Sequence, residues 1–119
     1  MGQGARSMNE LLVVNKFHGK WPSRRYIDIG GHSPLRDTTR MDEGRTRAEA
    51  VWFYGEYLRE QMEAGNEAIL NELERIGAMV LDDSGEPVCL QCFCAPKACH
   101  GDVIKRVIEE AIKATTEIA

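Results

Sequence analysis

The stretch Leu90-Gln-Cys-Phe-Cys-Ala-Pro-Lys-Ala-Cys-His-Gly-Asp102 constrains this chain more than any other. An apolar run enters it from Val88, and a loop containing Pro96 follows. An amphipathic segment leaves it from Gly101, with Ile104, Val107, Ile108, Ala111 and Ile118 on one stripe. Strand, tight loop and helix in that order put a helix N-terminus, with unpaired N–H groups and the positive dipole end, close to a strand end. Anions bind at such points. Lys97, Cys99 and His100 lie beside it, so a cation, a thiol and an imidazole share one short segment.

Upstream, Leu11-Leu-Val-Val-Asn15 reads as a buried strand that presents Asn15 at its carboxyl end. Gly19 and Pro22 punctuate the turn that follows, with Trp21 packed beneath it. Arg25-Tyr-Ile-Asp-Ile29 alternates in polarity and runs into Gly30-Gly31, as a second strand does where the backbone bends or approaches something closely. From Gly30 to Arg45 there is no helical or strand period, which predicts a binding loop or lid. Thr46-Arg-Ala-Glu49 is a capping box that opens a helix carrying Val51, Tyr54, Leu58 and Met62. Ala64-Gly65-Asn66 breaks it, and Asn66 caps a second helix through Ile69, Leu70, Leu73 and Ile76, with Gly77 as its end. Ala78 to Leu81 reads as a short strand, Asp82 to Glu86 as a turn, and Val88 to Cys94 as the next strand.

This order predicts a small three-layer Rossmann-like α/β domain with a mostly parallel sheet, spanning 10–119 behind a disordered leader at 1–9. With 119 residues and 43% hydrophobic composition, one core is expected. Leu11 to Val14, Ile27, Ile29, Leu58, Leu73, Leu90, Cys92, Ile104, Val107 and Ile108 are its predicted members. No apolar run approaches the roughly 18 residues of a membrane helix, so a soluble cytoplasmic protein is expected. All four cysteines fall between Cys89 and Cys99, which reads as reduced thiols rather than as staples between distant segments. The net charge is −4, yet Lys20 to Arg47 carries seven basic residues against four acids. An acidic whole argues against nonspecific duplex binding, and the basic segment suits a small anion.

If the strands from Leu11, Arg25 and Val88 run parallel, then Asn15, Gly30-Gly31 and Cys94 emerge at one carboxyl edge, where open α/β sheets place ligands. The candidate binding set is therefore Asn15, Gly30, Gly31, Ser33, Arg36, Arg47, Cys94, Lys97, Cys99, His100, Gly101 and Asp102.

The same residues resemble a known family. Val14-Asn15, Tyr26-Ile27 with Gly30 and Ser33-Pro34-Leu35, Thr46-Arg47 opening a helix, and Cys92-Phe-Cys-Ala-Pro-Lys-Ala-Cys-His-Gly-Asp-Val103 look like a small phage and bacterial family, domain of unknown function 4326. The resemblance spans Leu12 to Val107. It implies a small α/β domain, cytoplasmic in a bacterium or a phage-infected host, and brings no established activity. Members usually continue the Ser-Pro-Leu segment with a Gly-Asn-Pro-Phe-like turn, where this chain has Arg36-Asp37-Thr38-Thr39. A remoter similarity is to another uncharacterised family with a Cys-His pair at the start of its last helix.

The cysteine cluster admits three readings. Three thiols and an imidazole are good zinc ligands, but Cys92 lies in an apolar strand and lacks the two-knuckle spacing, so no metal is assigned. A cysteine at a helix start has its thiolate stabilised, so Cys99 or Cys94 is a candidate nucleophile, with His100 as base. Cys92 and Cys89 read best as small core residues. A Cys-x5-Arg phosphate loop is absent, since His100 follows Cys94 and Lys105 follows Cys99 at the arginine position. The preferred expectation is a binding module for a phosphate-containing small molecule, a nucleotide or a derivative, without cofactor. The alternatives are an enzyme using His100 or Cys99 on such a ligand and a zinc-stabilised interaction domain; a homo-oligomer is compatible with each.

Overall fold

The computed structural model describes residues 8–15, 25–30, 33–37, 46–92 and 99–118. Within them the elements are β1 (Leu11–Asn15), β2 (Tyr26–Asp28), α1 (Arg47–Glu63), α2 (Glu67–Leu81), β3 (Val88–Cys92) and α3 (His100–Ile118). The strands form one all-parallel sheet in the order β1-β3-β2, a small Rossmann-like α/β arrangement. Trp21, Gly31, Cys94, Lys97 and most of the 31–45 loop lie outside the described residues.

Side chains alternate across a strand, so the register decides what shares a face. Val88, Leu90 and Cys92 turn to the same side as Leu11, Ile27 and Ile29, and all six join the helices in one buried cluster. The three helices touch one another and share that cluster, so the described elements make up two of the three expected layers. Cys89 and Gln91, on the opposite side of β3, are buried as well.

Local chemistry explains the helix starts. Thr46 Oγ1 accepts the Glu49 N–H, and Glu49 Oε1 accepts the Thr46 N–H, at 3.1 and 2.9 Å. Gly65 takes a left-handed φ of 76° between α1 and α2, and Asn66 caps α2 by accepting the Ile69 N–H.

Three expectations are corrected. Gly77 does not end α2, and Ala78 to Leu81 is not a strand: the helix continues to Leu81. Ile69, Leu73, Ile76 and Val80 are buried at helical spacing while Ala78 is exposed, whereas a strand would turn Ala78 and Val80 to one side. Val107 is only half-buried and Ala111 is exposed, because they face a groove between α2 and α3 that Gly77 has no side chain to fill. The buried edge of α3 is Val103, Ile104, Ile108 and Ile112. Finally, Asn9 belongs to the domain rather than to a leader. It is buried, its N–H donates to the Val80 carbonyl, and its side chain donates to the Met79 and Asp82 carbonyls. Arg25 joins it there, bonded to the Met79 carbonyl, the Asp82 carboxylate and Ser84 Oγ. α2 has no basic residue in its last turn, so Asn9 and Arg25 supply its C-terminal donors and positive charge from outside.

Gly77→Ala should raise stability by about 0.5–1 kcal/mol, since a methyl there meets open space and a helix interior favours Ala. Gly65→Ala, at positive φ, should lower it by about 1 kcal/mol. Urea unfolding of both variants checks this; destabilisation by Gly77→Ala would restore Gly77 as a left-handed helix end.

Candidate functional site

Because the strands are parallel, their carboxyl ends lie at one edge, with Asn15 in register with Cys92 and Ile29 following β2 beside them. α3 begins at that edge. The His100 ring is buried and its Nε2 lies 2.8 Å from the Ile29 carbonyl oxygen. A carbonyl only accepts, so Nε2 carries the proton in this contact. The ring of Tyr54 meets His100 edge-on, with centroids 5.1 Å apart, and the Tyr54 hydroxyl donates to the Leu35 carbonyl at 2.7 Å. Burial, with a contribution from the Asp37 carboxylate, pushes that hydroxyl far above the usual tyrosine range.

Gly101 is required by contact rather than by φ. A Cβ on it would lie 2.8 Å from Val13 Cγ1 and 3.1 Å from Ile29 Cδ1, so the first turn of α3 rests directly on β1 and the end of β2. The turn also caps itself. Asp102 Oδ2 accepts the Cys99 N–H at 3.0 Å, and Cys99 Sγ accepts the Gly101 N–H at 3.3 Å. The expectation that this helix start offers open donors to a ligand is thereby corrected, since two of them are engaged and an exposed carboxylate stands among them.

The expected thiolate at Cys99 is corrected too. Its sulfur lies 3.3 Å from Cys92 Sγ in a buried pair. The hydrogen bond with Cys92 and burial push the Cys99 thiol well above the ordinary range, outweighing the stabilising Gly101 N–H.

On the β2 side, Asp28 Oδ1 accepts the buried Gly30 N–H at 2.7 Å, and a turn follows in which Ser33 Oγ accepts the Leu35 N–H. Arg36 is exposed on this turn, with Nη1 3.4 Å from the Ser33 carbonyl oxygen. Asn15, Gly30, Ser33, Cys99, His100 and Gly101 are thus gathered around one edge. Arg47 stands apart as the first residue of α1, two helical turns before Tyr54. Gly31, Cys94 and Lys97 are outside the described residues. Among the described residues no group of three or more histidine, cysteine or acidic side chains is placed to hold a metal. Two concavities line the helical face instead, one between α1 and α3 and an apolar one between α2 and α3.

Sequence reasoning missed two participants. Tyr54 was legible only as a core position, because its partners Leu35 and His100 are far away in the chain. Gln91 is 3% exposed, on the opposite face of β3 from Cys92, with a buried Nε2 that has no hydrogen-bond partner among the described residues. A glutamine inside an apolar strand was the available signal.

Gly101→Ala should destabilise the protein by about 1–3 kcal/mol through overpacking against Val13 and Ile29. Below the pKa of the unfolded thiol, both the folded and unfolded states keep the Cys99 proton. Above it only the folded state does, so stability should fall as pH rises past about 8.5, and again past about 10 for Tyr54. Cys99→Ala should reduce the first part of that fall in denaturant titrations at increasing pH, and an unchanged profile would contradict the assignment.

The family model described as Domain of unknown function (DUF4326) matches residues 14–110. No curated protein and no solved structure matches the chain. The matched span takes in β1 from Val14, the strand–loop–helix junction around His100 and most of α3. With most of its length matched, including the whole edge described above, the chain belongs to the DUF4326 family.

Proposed function

We propose that the protein is a binding module for a phosphate-containing small molecule, a nucleotide or nucleotide derivative, at the carboxyl edge of the sheet. The observation that carries this reading is that Asn15, Gly30 and the start of α3 converge at one edge of an all-parallel sheet, the usual ligand position in open α/β folds. Charge orients the ligand. The exposed Arg36 on the Ser33 turn takes the phosphate, and Arg47 adds positive potential from the start of α1. Asp102 repels phosphate but has acceptor capacity for a ligand hydroxyl or amino group, so the sugar or base end lies toward α3. The unpaired Gln91 donor supplies a further contact.

Binding is favoured over turnover because the two candidate catalytic groups are already committed. Cys99 is buried with its sulfur against Cys92, and His100 holds a backbone carbonyl. Neither group is open to a substrate the size of a nucleotide, as hydrolysis or transfer on one would need. Among the described residues no helix is long and apolar enough to cross a membrane. With the family resemblance, that supports a cytoplasmic setting in a bacterium or a phage-infected host.

The test is a thermal-shift and calorimetric screen of nucleotides against the matching nucleosides. Arg36→Ala should weaken nucleotide binding about tenfold, or about 1.4 kcal/mol, and nucleoside binding less. Gln91→Leu should weaken binding while leaving stability equal or higher, because it removes an unpaired buried donor whose desolvation costs about 1–3 kcal/mol. Unchanged affinity in both variants, or no binding across the panel, would overturn the reading.

A further inference from the structure

We propose that Cys92 and Cys99 are a redox-active pair that closes to a disulfide with a peroxide as oxidant. The inference stands apart from the ligand reading, because it rests on the placement of two sulfurs inside the core. Cys92 ends β3 and Cys99 immediately precedes α3, and their sulfurs lie 3.3 Å apart. A disulfide requires about 2.05 Å, so closure asks for an approach of about 1.2 Å between side chains already in contact. Cys89 cannot compete, because it lies on the opposite face of the same strand.

The surroundings select the oxidant. Cys99 is 4% exposed and Cys92 1%, which admits a small peroxide far more readily than a bulky disulfide. The Gly101 N–H directed at Cys99 Sγ steadies negative charge as it develops on that sulfur. Cys99 sulfur attacks one peroxide oxygen as its proton is lost. The O–O bond breaks, and hydroxide leaves with that proton as water, giving Cys99 sulfenic acid. Cys92 sulfur then attacks Cys99 sulfur. The S–S bond forms, the S–O bond breaks, and the departing hydroxide takes the Cys92 proton as a second water. The pair has lost two electrons and the peroxide has gained them. The bridge closes a short ring joining the end of β3 to the start of α3, which restrains the unfolded chain and tightens the junction.

The experiment treats fully reduced, folded protein with hydrogen peroxide. Two of the four thiols should be lost and the mass should fall by two hydrogens. Peptide mapping should join Cys92 to Cys99, the thermal midpoint should rise, and dithiothreitol should restore both thiols. Cys94→Ser should give the same bridge. Cys92→Ala should leave Cys99 without a partner, so that it proceeds to sulfinic acid. A bridge through Cys89 or Cys94, sulfinic acid at Cys99 while Cys92 stays a thiol in the unsubstituted chain, or no thiol loss under conditions that oxidise the denatured chain would each overturn the proposal.

Discussion

The first turn of α3 pressed against the carboxyl edge of the sheet is the contact on which the rest of the structure depends. Gly101 allows the approach, because any side chain there would meet Val13 and Ile29. The approach brings His100 within reach of the Ile29 carbonyl, sets Cys99 against Cys92, and turns the His100 ring toward Tyr54. Tyr54 in turn holds the Leu35 carbonyl, so the turn after β2 is tied to the same point. A buried carbonyl left unpaired would cost about 1–3 kcal/mol, which is why an imidazole and a phenol serve these two. The junction is dense and polar at once, and the apolar cluster beneath it takes its alignment from it.

The amino edge of the sheet is closed by a different device. Asn9 and Arg25, one on each side of the central strand's entry, share the Asp82 carboxylate and the last carbonyls of α2. Asp82 is held below the usual carboxylate range, chiefly by hydrogen bonds from Ser84, with Arg25 contributing. The Asn9 and Arg25 bonds to Asp82 span 73 and 57 residues, so the amino edge acts as a staple between segments remote in sequence.

Local patterns were readable where their causes are local. The Thr46–Glu49 box and the Gly65-Asn66 break needed only neighbouring residues, β1 and β3 were legible from apolar runs, and β2 from its alternating polarity. Gly77 misled because glycine is a common helix end, while the apolar spacing from Ile76 to Val80 already carried the opposite message. At the junction the chemistry was misread for a physical reason. His100 and Cys99 look like ligand or catalytic groups in a one-dimensional string, but their partners decide their state. One partner lies 71 residues away, and the other is a strand cysteine seven positions back. A helix dipole can be inferred from sequence, whereas the Cys92 contact that outweighs it cannot.

With the junction committed to structure, the ligand proposed above would meet what surrounds it at this edge, Asn15, Gly30, Arg36, Gln91 and Asp102. Protein NMR under nucleotide titration tests that location most directly, by following backbone amide shifts residue by residue. The largest shifts should gather at Asn15, Gly30, Arg36, Gln91 and the start of α3, with Asn9, Asp82 and Ser84 at the amino edge unmoved. Shifts confined to Trp52, Met62 and Val107 would put the ligand on the helical face and contradict the account.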